Sequence, residues 1–324
     1  MRFIPQKKAM EKFNTNNQSA SCQPDPYVIE ENGRYYLYAT NPGGVSLYIS
    51  DDMRVWDSAG MVLTDKREKE FWAPAVVKWG GRFYMYYSSM PSDAQDVHTE
   101  CMKVAVSDVP EGPFRYCKTL LPPFSIDAHA VSYKGQPYIF YSANKYDGER
   151  VGTYIALDRL VDPFTAEGKP REMLLPTIEQ EVSWQARDFG DGNPPVKWHT
   201  VEGAFYFFAD GVHYLMYSGS AFRNDQYFVG YATSRDDCED LRDVRFVKYP
   251  DDAQFCPLLY KDRLREGTGH NSVLRRGNEY YVFYHARKVG LPDDGTDRRR
   301  LHINRLLVHD GALTLGEPIQ TNLE

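Results

Sequence analysis

The chain has 324 residues, 42% of them hydrophobic, which is enough to bury a core as one large domain or two ordinary ones. Its net charge of −7, with no basic run, argues against nucleic acid or an anionic membrane as partner, because phosphate binding needs clustered Lys and Arg. The 24 Tyr, 17 Phe, 24 Gly and 20 Pro favour strands and turns, so an all-β chain acting on a neutral small substrate is the first expectation.

Residues 1–20 carry no apolar run of signal-peptide length and are expected to form an N-terminal extension. No stretch approaches the roughly 18 apolar residues of a membrane span. Cys22, Cys101, Cys117, Cys238 and Cys256 form an odd set without a CxxC pair, which suits reduced thiols and a cytoplasmic location.

From there on, one pattern recurs five times: a polar turn containing Gly, then a strand crowded with aromatics. It reads NGRYYLYAT at Gly33, GGRFYMYYS at Gly81, KGQPYIFYS at Gly135, DGVHYLMYS at Gly211 and RGNEYYVFYHA at Gly277. An apolar or aromatic strand precedes each turn, so each repeat is a β-hairpin. Third strands follow as SLYISDD (46–52), KVAVSD (103–108), TYIALD (153–158), FVGYATS (228–234) and INRLLVHDG (303–311), and turn-rich text leads on towards a fourth. Five such units without amphipathic helices predict a five-bladed β-propeller, with residues 1–324 as a single catalytic domain. A β-sandwich gives no reason for five similar hairpins.

The strand before each turn carries the chemistry. Asp25 and Asp127 lie eight residues before their turn Gly, Glu202 nine and His270 seven, while Trp72-Ala73-Pro74 holds that place in the second repeat. In a propeller these positions converge on one end of a central channel. An acidic residue at a strand start is ordinarily a turn former, Trp72 alone would be packing, and His270 alone a core histidine. A shared register makes them a saccharide site, because glycosidic cleavage needs one carboxyl that holds a proton and one that stays ionised.

At PDPYV (24–28), WAPAV (72–76), SIDAHAV (125–131), VEGAF (201–205), GTGHNSV (267–273) and RLHINRL (300–306), the chain resembles glycoside hydrolase family 43, from Pro24 to about Pro318. The resemblance implies an inverting mechanism, with Asp25 as general base, Glu202 as general acid and Asp127 orienting the acid and raising its pKa. An inverting pair stands roughly 6.5–9.5 Å apart. It further implies that His270 lies deep in the channel, facing a possible structural calcium ion, and that a C-terminal arginine enters the site, with Arg300 the first candidate and Arg298, Arg299 and Arg305 close by; Arg300, His270 and, by its register, Trp72 are the expected substrate-binding residues, and no other cofactor is expected. Ala75 and Ala204 depart from the family's usual residues and leave the sugar preference open. The expected activity is exo-acting release of terminal α-L-arabinofuranosyl residues from plant cell-wall oligosaccharides. A β-D-xylosidase or bifunctional enzyme with the same site is the alternative, a retaining fructosidase-type enzyme a weaker one, and a non-catalytic carbohydrate-binding propeller the reading from another class.

Overall fold

The computed structural model describes residues 22–188, 194–291 and 294–324, so the expected extension over residues 1–20 lies outside the described residues. Five antiparallel units follow one another along the chain. The first comprises β1 (Tyr27–Glu31), β2 (Arg34–Asn41), β3 (Gly44–Ser50) and β4 (Asp57–Leu63). The second comprises β5 (Glu68–Trp79), β6 (Arg82–Pro91), β7 (Cys101–Ser107) and β8 (Arg115–Thr119). In the third, β9 (Ile126–Tyr133) and β10 (Gln136–Lys145) lead to β11 (Gly152–Asp162), which is flanked by β12 (Thr165–Ala166) and β13 (Arg171–Leu174). The fourth adds β14 (Val182–Arg187) to the edge of β15 (Val196–Ala209), followed by β16 (Val212–Gly219), β17 (Phe228–Ser234) and β18 (Val247–Lys248). The fifth comprises β19 (Arg265–Arg276), β20 (Glu279–Lys288), β21 (Arg300–His309) and β22 (Ala312–Ile319). No α-helix occurs among the described residues.

The turns explain the hairpins. Asn32-Gly33, Gly80-Gly81, Lys134-Gly135 and Asp210-Gly211 each place two residues at positive φ between paired strands, the geometry of type I′ turns, whose twist matches that of the flanking strands. The aromatic second strands are buried on both faces, as β2 shows from Tyr35 to Thr40. They are buried because each unit packs against two others. Five hydrophobic clusters lie at the junctions of consecutive units, and the fifth joins Trp56 and Leu37 of the first unit to Phe283 and Ile303 of the last. The first strands β1, β5, β9, β15 and β19 adjoin one another in that order, and β19 adjoins β1. The hydrogen bonds themselves divide the strands among three sheets, of eight, ten and four strands.

Candidate active site

Each first strand, or in the first unit the segment just before β1, carries a residue in the left-handed region at the same place: Asp25 (φ 53°), Ala73 (φ 44°), Asp127 (φ 59°), Gly203 (φ 63°) and His270 (φ 45°). Non-glycine residues adopt this conformation at a cost of about 1–2 kcal/mol each, and such strain concentrates at functional sites. In the fourth unit a Cβ at Gly203 would lie 3.2 Å from His270 Nδ1, so glycine occupies the ring position and the carboxyl comes from the preceding residue, Glu202. Trp72 precedes Ala73 in the same way.

The three carboxyls, with Trp72 and His270, line a cavity of about 450 Å³. Asp25 is held from four sides. Its Oδ1 accepts from Arg299 Nη1 at 2.9 Å, its Oδ2 accepts from Thr40 Oγ1 at 2.6 Å, its backbone N–H donates to His285 Nδ1 at 3.1 Å, and His270 Nδ1 stands 3.6 Å from Oδ1. Burial by itself would raise the Asp25 pKa, but the Arg299 charge, with His270 beside it, outweighs it and holds the carboxyl well below the usual range. His285, fully buried and lowered to about 4 chiefly by that burial, is a neutral acceptor.

Asp127 Oδ2 accepts from Ser142 Oγ at 3.0 Å and from the Gly203 N–H at 3.2 Å. Burial, with the Asp25 charge adding to it, raises its pKa. Glu202 Oε1 accepts from Tyr227 O–H at 2.8 Å. Burial and then the Asp127 charge push Glu202 well above the ordinary Glu value. The cavity thus holds one carboxyl kept ionised and one kept protonated, the division of labour that glycosidic cleavage requires.

Two residues further along these strands, three rings pack together. Tyr27 O–H donates to His129 Nδ1 at 3.2 Å, His129 Nε2–H donates to the Tyr206 carbonyl at 3.0 Å, and the Phe205 ring lies 4.1 Å from the His129 ring. His129 is therefore a neutral floor residue.

Arg300 requires correction. It donates to the Leu323 carbonyl at 3.3 Å, and of the C-terminal arginines it is Arg299 that lines the cavity, paired bidentately with Asp297 and packed over the Phe222 ring. Neighbouring residues on extended chain point to opposite sides, so an error of one residue exchanges a site arginine for a packing one. Thr40 and His285 lie within the repeats NGRYYLYAT and RGNEYYVFYHA but are not singled out there, and Tyr227 lies in no quoted motif; all three reach the site from outside the first strands. Trp184 and Trp198, in the insertion between Gly135 and Gly211, both line the cavity. Among the described residues no group of three His, Cys, Asp or Glu is placed to hold a metal ion.

A family model described as glycosyl hydrolases family 43 matches residues 16–313. The chain is 25% identical over 289 residues to an extracellular exo-α-(1→5)-L-arabinofuranosidase of Streptomyces chartreusis, covering 82% of this chain and 80% of that protein. It is 23% identical to α-L-arabinofuranosidase B of Pyricularia oryzae, covering 94% of this chain and 63% of that one. Among solved structures, a thermostable family-43 glycoside hydrolase superposes with a TM-score of 0.76 at 28% identity, over 92% of this chain and 94% of the other. The α-L-arabinofuranosidase of Lactobacillus brevis, at 19% identity and a TM-score of 0.74 over 95% and 99%, shares the fold.

Proposed function

This chain belongs to glycosyl hydrolases family 43 and is a glycoside hydrolase, and from that premise we propose that it removes terminal α-L-arabinofuranosyl units from oligosaccharides with inversion. The observation that carries the mechanism is the opposite displacement of two buried carboxyls in one cavity. In this reading Asp25, ionised beside Arg299, takes a proton from the attacking water. Glu202, protonated, gives its proton to the departing glycosidic oxygen. Asp127, between them, keeps Glu202 protonated by its charge and hydrogen-bonds the Gly203 backbone that carries it. Trp72 offers a ring to the sugar, and its indole N–H is fixed on Glu70 Oε2 at 3.1 Å.

The five units, packed in order with the last against the first, are proposed as the blades of a five-bladed propeller in a single catalytic domain. A calcium ion at His270 would take its ligands chiefly from water, because a hard cation asks for six or more oxygens and the protein offers one imidazole there. No step above runs through it. A cytoplasmic site of action rests on five free cysteines alone, and the Streptomyces relative is named as extracellular. No helix among the described residues is long and apolar enough to cross a membrane.

The experiment is the initial rate on aryl α-L-arabinofuranoside and aryl β-D-xyloside side by side, with Asp25→Ala as control and the product anomer followed by NMR. An arabinoside preference, lost in the variant, with inverted product is expected. A xyloside preference would keep the mechanism and change the sugar, and a retained anomer would end the base assignment of Asp25.

A further inference from the structure

A second groove, of about 410 Å³, opens at the junction of the second and third units. It is lined by Leu121, Pro122, Tyr141, Ala143 and Tyr146, and it shares His98, Phe124 and Asn144 with the catalytic cavity. The two spaces are therefore adjacent, with these three side chains at the boundary between them. We infer that this groove seats the leaving saccharide, the part of the substrate beyond the scissile bond, an inference that rests on the proposed exo-hydrolysis.

The chemistry of the lining favours a neutral sugar. Tyrosine and phenylalanine faces with short aliphatic side chains meet the apolar C–H faces of sugar rings, and a few polar atoms, such as the Asn144 amide and the Tyr146 hydroxyl, meet their hydroxyls. No Asp, Glu, Lys or Arg lines the groove, so a uronate or a phosphate would find no counter-charge. His98, the one titratable imidazole there, has its pKa lowered, first by burial and then by Arg187.

The groove is also built in advance. The Tyr146 ring lies 5.5 Å from that of Trp198, Asn144 Nδ2 donates to Tyr146 Oη at 3.4 Å, and Thr153 Oγ1 donates to Asn144 Oδ1 at 3.0 Å. On the side of the insertion, Arg187 stacks 4.4 Å over the Trp198 ring and hydrogen-bonds His98 Nε2, while His98 Nδ1 is 2.7 Å from Asp96 Oδ1. Side chains thus bridge that part of the mouth. A chain whose terminal sugar occupies the carboxyl end of the cavity is directed across Phe124 and into the groove.

The test compares kcat/KM on (1→5)-linked arabinotriose with kcat/KM on an aryl arabinofuranoside, whose leaving group is too short to fill the groove. Tyr146→Ala removes a ring face, and Ala143→Phe fills the groove without removing a contact. In both variants the ratio of trisaccharide to aryl glycoside is expected to fall roughly tenfold, mainly through KM, since one aromatic contact is worth about 1–2 kcal/mol. A ratio within about twofold of the unaltered enzyme in both variants would overturn the groove assignment while leaving the proposed function intact. An unaltered enzyme inactive on arabinosides and xylosides alike would remove the proposed function and this inference with it.

Discussion

Asp25 and Glu202 are both buried, and burial raises the pKa of each, yet they end on opposite sides of the ordinary carboxyl range. The difference is one guanidinium: Arg299 donates directly to Asp25, whereas Glu202 has a neutral phenol on one side and the charge of Asp127 on the other. Replacing Arg299 by Met removes the largest influence opposing burial at Asp25, so the acidic limb of kcat/KM should move up by about 1–3 pH units. Arg300→Met should leave that limb in place. Glu202→Gln should nearly abolish turnover of oligosaccharides, spare aryl glycosides with good leaving groups, and remove the alkaline limb. The same variant has a stability signature. A carboxyl raised on folding stabilises the fold below its unfolded pKa, about 4.3, and the contribution is lost as pH rises through the folded value. Glu202→Gln should therefore flatten the fall of the melting temperature as pH rises above about 4.3, and an unchanged slope there would count against the raised pKa. The carboxyls were legible in the sequence because each stands eight or nine residues before a glycine turn. Arg299 was not, because extended chain repeats every two residues and RRRLHINRL offers no glycine from which to count.

At the scale of the strand, the catalytic register is a left-handed residue repeated in all five units. In the second to fifth units it marks an irregularity of pairing with the second strand, as between Glu202 and Phe205 or between Gly269 and Ser272, whereas Asp25 stands just before the regular pairing of β1 with β2 begins. This kink turns the carboxyls out of the sheet plane and into the channel. Gly203→Ala should cost about 1–2 kcal/mol in denaturant unfolding, because alanine is strained at φ 63° and its Cβ crowds His270. Activity should fall with it, since Glu202 rides on the same backbone. A variant as stable and as active as the parent would show that the left-handed ring is incidental. The motifs announced this ring only as spacing: a glycine after Glu202 and an alanine after Trp72 read as composition until the dihedral angles show one conformation shared by unlike residues. The hairpins themselves were plain from the sequence, because their turn chemistry is local. Thr40, Tyr227 and His285 were not, because which second-strand or loop residue faces a carboxyl depends on pairing between strands.

For the molecule as a whole, five repeats were countable in the sequence, but the joint between the last unit and the first was not. That joint is made by Gln23 N–H donating to the Arg299 carbonyl at 2.9 Å, by the Asn322 amide pairing with the Trp56 backbone at 2.9 and 3.0 Å, and by Leu323 in the cluster they share. Leu323→Ala is expected to cost about 2 kcal/mol and Asn322→Ala about 1–2 kcal/mol in denaturant unfolding, with chains loosened at both ends. Losses below about 0.5 kcal/mol in both would mean that this joint contributes little to holding the ends together. The arginine that sets the charge of Asp25 belongs to the same joint, so loosening it should also displace the acidic limb of activity.

In the proposed exo mode the cavity has a blind end, closed by the packed rings of Tyr27, His129 and Phe205 two residues beyond the carboxyls. In the proposed reaction the released monosaccharide lies at that end and the other product lies between it and the solvent, so departure is ordered: the outer fragment goes first. Free arabinose should then compete with substrate for the empty enzyme, whereas the shortened oligosaccharide, which can rebind while the monosaccharide is still in place, should inhibit with a mixed pattern.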